Sequence, residues 1–373
     1  MRGWRIGKVA GIDIEINSSW LLMFFLFAYL FANLLRGAEG LTTAVWIAGG
    51  VTSLLFVASV LLHELCHSLV ANSLGMSVKR ITLFIFGGVS QIEDEAHSPL
   101  GEFLMSAAGP ACSFALAGLC WGLSGQSPVV TSHAPDLTVR VLALIGQVNL
   151  SLAVFNLLPG LPLDGGRVLH SILWAATRQK ELSTRIAGGV GSVLGAVFIA
   201  GGLMMFLSGG GMGLWMAAIG WLIFTVARAE SRHAQLQHFL TGLQVGQLMH
   251  WPVVSLPAGL TVEQAVQQAG AASPQPLYPV LDETGRTVGL LSPENLRQLP
   301  ADQWPLTPIS QIMEPLDHAE VTIPLGAPAL DALSQMARTG REWLLVVSAE
   351  GQPLGTLTDS EIMAAAMHRS PKR

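Results

Sequence analysis

Residues 41–67 read LTTAVWIAGGVTSLLFVASVLLHELCH, and the reading of the whole chain turns on this stretch. From Leu41 to Leu62 it holds no charged side chain and is long enough to cross a bilayer as a helix. It then closes on His63-Glu64-Leu65-Cys66-His67. Residues four apart share one face of a helix, so His63 and His67 can direct imidazole nitrogens at a single zinc ion while Glu64 reaches a water on it. An isolated HExxH string is only moderately specific. Its setting says more, because charge and imidazole within hydrocarbon are costly enough that function is the default explanation.

Composition agrees with a polytopic membrane protein. The chain has 373 residues, 51% of them hydrophobic and 12% charged, and soluble proteins carry about twice that charged share. The mean hydropathy is +0.50. The three cysteines, Cys66, Cys112 and Cys120, lie in apolar segments and read as membrane-packed thiols, not as a disulfide framework. A formal net charge of −5 without a basic stripe gives nucleic acid no footprint. Arg2, Arg5 and Lys8 precede a first apolar run that starts only at Trp20 and lacks a convincing cleavage site, so no removable signal peptide is expected.

Hydropathy predicts about six transmembrane helices, at 18–36, 42–74, 102–124, 138–158, 186–207 and 212–228. With the amino terminus inside, the cytoplasmic segments hold nearly all the lysines and arginines, and the opposite side has only Arg36 and Arg140. The positive-inside rule therefore places a cell-membrane, multi-pass protein with its amino terminus and its tail in the cytoplasm. The second and fourth spans then both run inward, which brings His63 and Asp164 to the same half of the bilayer.

The fourth span breaks up in Asn156-Leu157-Leu158-Pro159-Gly160-Leu161-Pro162-Leu163-Asp164-Gly165-Gly166-Arg167. Irregular backbone at membrane depth is tolerated only inside protein or along a wet cavity. A catalytic zinc with two histidines needs a third protein ligand beside an open position, and Asp164 fits that vacancy. His170, close behind, is a candidate second partner of the centre. The alternating stretch Ile81-Thr82-Leu83-Phe84-Ile85 before Gly87-Gly88 predicts a short strand and return within 79–95, able to take an unwound substrate by strand addition or merely to seal the cavity. Glu93, Asp94 and Glu95 read as solvated charges at headgroup level.

Beyond Arg232 the sequence turns soluble and repeats itself. Residues 242–299 and 308–368 read as two copies of one unit, Val245-Gly246-Gln247-Leu248-Met249 matching Ile309-Ser310-Gln311-Ile312-Met313, and Leu277 to Gly285 matching Trp343 to Gly351. The repeat resembles a pair of CBS domains, an α/β fold. In that family a Ser or Thr with an acidic residue three later often contacts a nucleotide ribose. Ser292 with Asn295 and Thr358 with Glu361 occupy those places here, without the usual aspartate. The resemblance implies either an adenine nucleotide site or a structural pair that can make a homodimer.

Taken in order, His63-Glu64-x-x-His67, Phe86-Gly87-Gly88-Val89, Ala108-Gly109-Pro110 and the Asn156 to Arg167 segment resemble the site-2 protease family of intramembrane zinc metalloproteases. With the tail, the chain is similar to the prokaryotic subgroup that carries a CBS pair, over residues 1–232 for the protease domain. The resemblance implies one zinc per chain on His63, His67 and Asp164, with Glu64 as general base and then general acid. It also implies a single-span membrane protein of regulatory type as substrate. Asn156 is implied to face the site and steady a developing oxyanion. Asn149, like Asn156, can instead serve as a hydrogen-bonding contact between helices. A protease acting on prenylated termini would take a downstream glutamate as third ligand, and the apolar interiors of the later spans hold none. A metal permease would explain the spans but has no need of a general base between its histidines.

Overall fold

The computed structural model describes residues 4–37, 40–84, 87–92, 96–125, 136–270, 277–297, 299–315 and 321–369. Glu93, Asp94 and Glu95 lie outside the described residues. The chain divides into two units, Met1–Ala234 and Gln235–Arg373.

Seven helices are described in the first unit or begin there: α1 (Ser19–Leu35), α2 (Thr43–Ser73), α3 (Pro99–Ser124), α4 (Leu137–Asn156), α5 (Asp164–Thr177), α6 (Lys180–Leu207) and α7 (Met212–Leu240). Five of them, α2, α3, α4, α6 and α7, are long and apolar enough to cross a membrane. The first expected span is the 17-residue α1, at the lower limit of what a bilayer core needs. Their starts follow local chemistry. Thr42 caps α2 by accepting from the Val45 amide at 3.3 Å, Ser98 caps α3 through the Gly101 amide at 3.1 Å, and Asp136 caps α4 through the Thr138 amide at 2.8 Å. Helix α3 adds a proline at its first position and stops on Gly125 in the left-handed region, φ 63°.

Two features differ from the hydropathy reading. Helix α7 continues past residue 228, where the sixth expected span ends, to Leu240. Asp164 does not sit in an extended loop; it opens α5, a 14-residue amphipathic helix too short and too polar to register as a span. The breaker-rich segment ends at Leu163, and Gly165 and Gly166 lie inside the helix at places where nothing larger fits. A Cβ at 165 would lie 2.2 Å from the Leu157 carbonyl oxygen, and one at 166 would lie 2.2 Å from the Leu161 nitrogen.

A four-stranded sheet accompanies the helices, with β1 (Trp4–Val9), β2 (Ile12–Ile16), β3 (Val78–Phe84) and β4 (Gly87–Ile92) in that order across it. The β1–β2 and β3–β4 pairs are antiparallel, and β2–β3 is parallel. The strand and return expected near residue 80 are present, and an amino-terminal hairpin not read from the sequence extends them. Ile12, Ile81 and Leu83 are buried with Ala71 of α2 and Met105 of α3, so the sheet's apolar face rests on the helices that carry the histidine pair.

The second unit holds two small mixed sheets. One contains Leu256–Pro257, Tyr278–Leu281, Thr287–Leu291 and Glu314–Pro315; the other contains Thr322–Pro324, Trp343–Val347 and Pro353–Thr358. The two copies exchange their leading segments. Val245 and Gly246 donate to the carbonyls of Ala327 and Leu325, and Val245 is buried with Leu344 and Leu357 of the second copy. Reciprocally, the Ile309 amide donates to the Leu260 carbonyl, and Ile309 is buried with Leu256 and Val280 of the first. Each repeat read along the sequence thus completes the other's core. Neither 242–299 nor 308–368 closes its core alone.

Candidate functional site

The four-residue spacing on α2 puts both histidines on one buried face, His63 3% and His67 8% exposed. Each ring is fixed from behind by α3. His67 Nδ1 lies 2.6 Å from the Met105 carbonyl oxygen, and His63 Nδ1 lies 2.9 Å from Ser113 Oγ. A carbonyl can only accept, so Nδ1 of His67 carries the hydrogen, and in the neutral ring, the form that binds a metal, Nε2 keeps its lone pair toward the interior.

Asp164 brings Oδ2 to that same point. It lies 3.1 Å from His63 Nε2 and 3.2 Å from His67 Nε2, and the two Nε2 atoms are 3.2 Å apart. Three ligand-type atoms from helices a hundred residues apart in sequence therefore form a nearly equilateral triangle. A hydrogen can bridge one pair of them at a time, whereas one cation answers all three. A tetrahedral zinc with bonds of about 2.0–2.1 Å holds its ligand atoms about 3.3–3.4 Å apart, close to the spacing present. The donor set, two imidazoles and one carboxylate, is that of a catalytic site with a position left open.

Gly109 gives a second, independent measure of fit. A Cβ at this position would lie 2.1 Å from His67 Nε2 and 2.6 Å from His63 Nε2. Helix α3 therefore passes the imidazoles with only its backbone. The Ala108-Gly109-Pro110 motif acquires a physical reason here, and Ser113 one turn further on supplies the hydroxyl behind His63. Ser113 and Met105 belong to no motif in the sequence. The spacing of 109 and 113 on one helical face is the signal that could have found the first.

Glu64 follows His63 and turns toward β4. Its Oε2 accepts from Ser90 Oγ at 3.0 Å, and Ser90 Oγ is 3.2 Å from Ser68 Oγ. Gly88 packs so closely that a Cβ there would fall 2.5 Å from Glu64 Cγ. His63, Glu64 and His67 from α2 and Asp164 from α5 thus come together, with α3 and β4 packed against them.

The other sequence candidates are placed differently. Asn156 is the last residue of α4, half-buried, and its side chain makes no hydrogen bond among the described residues. Asn149 is fully buried, and its Nδ2 donates to the Ile145 carbonyl of its own helix at 2.9 Å, so it does not bond a neighbouring helix. His170 is not a partner of Asp164. Its Nδ1 lies 2.7 Å from Glu102 Oε2 of α3 and its Nε2 lies 3.0 Å from Thr184 Oγ1 of α6. Six residues beyond Asp164, it is carried nearly two turns along α5 and away from the triangle.

In the second unit, Ser292 and Asn295 bond one another, as do Thr358 and Glu361. Ser292 Oγ donates to Asn295 Oδ1 at 2.7 Å while the Asn295 amide donates back at 3.3 Å; Thr358 Oγ1 donates to Glu361 Oε2 at 2.9 Å and the Glu361 amide donates back at 3.3 Å. Both pairs are capping boxes, at the starts of Pro293–Arg297 and Asp359–Arg369.

The profile of peptidase family M50 matches residues 51–133 and 127–201, and that of the CBS domain matches 245–302 and 309–368. Rip3 of Mycobacterium tuberculosis, which bears the name of a zinc metalloprotease, is 33% identical over 96% of this chain and 91% of its own length. The protein sll0528 of Synechocystis sp., named in the same way, is 32% identical over 96% of this chain and 94% of its own. Among solved structures, the site-2 protease from Methanocaldococcus jannaschii is 30% identical, covering 62% of this chain and 96% of that one, with a TM-score of 0.43. Identity at that level, sustained over nearly the whole length of Rip3 and sll0528, settles the assignment: this chain belongs to the M50, site-2 protease family of membrane zinc metalloendopeptidases, with a CBS pair as its tail.

Proposed function

We propose that the protein cleaves transmembrane helices of single-span, membrane-anchored regulatory proteins at a centre built from His63, His67, Asp164 and Glu64. The observation that carries this reading is the triangle of two Nε2 atoms and one carboxylate oxygen, with sides of 3.1–3.2 Å, on the helix that also carries the Glu64 carboxylate, held by Ser90. His63, His67 and Asp164 would hold one zinc. Bound there, zinc supplies Lewis acidity, making water nucleophilic near neutral pH and polarising the scissile carbonyl.

The chain's own groups do the rest. Glu64 takes the proton of the attacking water and returns it to the leaving amine. The Met105 carbonyl and the Ser113 hydroxyl keep both imidazoles turned inward, and Gly109 keeps the centre clear. Asn156 would face the substrate carbonyl as it gains negative charge. A peptide bond in a helix is shielded, so the substrate must unwind, and β4, the terminal strand of its sheet, offers an edge for strand addition. Metal analysis of the purified protein tests the reading: one zinc per chain, lowered by Asp164→Ala and kept by Glu64→Gln. Zinc retained after replacement of both histidines would end it. A substrate whose Gly, Pro, Asn or Ser residues near the cytoplasmic side are changed to Leu should be cut more slowly; equal cleavage counts against unwinding.

The loop charges support an arrangement with the amino terminus and the CBS pair in the cytoplasm. The CBS pair would then regulate cleavage, as a homodimerising element or through an adenine nucleotide held near Ser292, Asn295, Thr358 and Glu361. A ligand can do so only by binding two states unequally. Calorimetry with AMP, ADP and ATP, paired with cleavage by full-length and truncated protein, tests this; no binding and no change on truncation would leave a structural tail.

A further inference from the structure

Side chains alternate across a strand, so positions 88 and 90 of β4 share one face. Both positions meet Glu64. At 88 there is no side chain, and a Cβ would stand 2.5 Å from Glu64 Cγ; at 90 a hydroxyl donates to Glu64 Oε2 at 3.0 Å. Ser68, fully buried one turn beyond Glu64 on α2, lies 3.2 Å from the same hydroxyl. Because Ser90 commits its hydrogen to a carboxylate, which can only accept, Ser68 must donate to Ser90, and the chain runs Ser68 to Ser90 to Glu64. The register holds the strand in place: Ser90 pairs with Ile81, which is fully buried under the helices.

We propose that Ser90 is a positioning residue for Glu64. Its hydroxyl engages Oε2 and so fixes the plane of the carboxylate, leaving Oε1 for the proton that Glu64 takes up and gives back. Gly88 admits the Glu64 stem against the strand, and Ser68 orients the Ser90 hydroxyl. The strand proposed to receive the substrate thereby carries the group that orients the base, so that substrate pairing on β4 and base alignment are mechanically one event. This rests on the reading of Glu64 as general base given above.

The test uses purified full-length protein and two probes: a single-span reporter of Leu and Ala interrupted by Gly-Pro near its cytoplasmic end, and a peptidyl hydroxamate. A hydrogen bond to a charged group governs rates by about tenfold to a hundredfold. Ser90→Ala should lower kcat by about that factor with zinc content and KM unchanged, and Ser90→Thr, which keeps the hydroxyl, should restore it. Gly88→Ala should lower kcat likewise by displacing the Glu64 stem. Hydroxamate affinity, which requires no turnover, should fall in Ser90→Ala and recover in Ser90→Thr. A rise in KM at constant kcat would assign Ser90 to substrate docking and overturn the proposal, as would unchanged kcat and hydroxamate affinity in Ser90→Ala. Glu64→Gln separates the two levels. If that variant keeps full cleavage and hydroxamate affinity, the general-base reading itself fails; if it loses both while Ser90→Ala equals wild type, only the role of Ser90 does.

Discussion

The two units each present a set of polar side chains at sequence positions that resemble family sites, and the structure treats the two sets in opposite ways. In the membrane unit, His63, His67 and Asp164 point their ligand atoms at one another, 3.1–3.2 Å apart, from helices distant in sequence. In the tail, Ser292 with Asn295 and Thr358 with Glu361 satisfy one another three residues apart, at the starts of their own helices. Closed local pairs serve the backbone of the segment that carries them. Ligand atoms converging across helices, with glycine cut away to make room, are costly unless something is bound between them. The lesson is that the destination of a polar group's lone pairs separates a site from a cap more sharply than residue type does.

The largest effect that bears on this contrast is expected at Glu64. Glu64→Gln should lower cleavage by several powers of ten while zinc stays at one per chain, because proton transfer is lost but no ligand is. Normal turnover by this variant would remove the distinction between base and ligand in the membrane unit. Next comes Asp164→Ala, which removes one corner of the triangle and should cut zinc occupancy severely; an unchanged metal content would mean that the convergence is a hydrogen-bonded cluster alone.

A smaller and more specific test is Gly109→Ala. One added carbon 2.1 Å from His67 Nε2 should weaken zinc binding and destabilise the unit by about 1–3 kcal/mol, the usual cost of overpacking. Full zinc occupancy and an unshifted melting temperature would show that α3 can retreat from the site. The smallest effect belongs to the tail. Thr358→Ala removes one cap and should cost about 1 kcal/mol, read as a fall of about 3 °C in the melting of the carboxy-terminal unit, with zinc content unaltered. Millimolar AMP, ADP or ATP raising that transition in wild type but not in Thr358→Ala would give the capping threonine a second role and blur the comparison.

The spans were legible because hydrocarbon imposes length and excludes charge, and these constraints act on consecutive residues. Helices α2, α3 and α4 lie within a few residues of their expected positions for that reason. Helix α5 was not legible, since Gly165 and Gly166 argue for a break whenever their surroundings are unseen. Only the approach of residues 157–161, within 2.2–2.6 Å of the missing side chains, shows why glycine belongs in a helix there. The place of His170 is illegible for a related reason: nearness in sequence to Asp164 says nothing about which face of α5 it takes, and it pairs with Glu102 of α3 instead.

By itself the sequence determined a membrane-embedded chain, the two histidines and glutamate on one helix, the candidate third ligand, and a repeated tail, since each rests on spacing along the backbone or on composition. Tertiary structure alone decided that Asp164 Oδ2 completes an almost equilateral set with the imidazoles, that Met105 and Ser113 hold the rings, that β4 covers Glu64, and that the tail's copies exchange their leading segments. These are contacts between residues tens to a hundred positions apart. Their distances follow from how helices and strands pack, which no local pattern encodes.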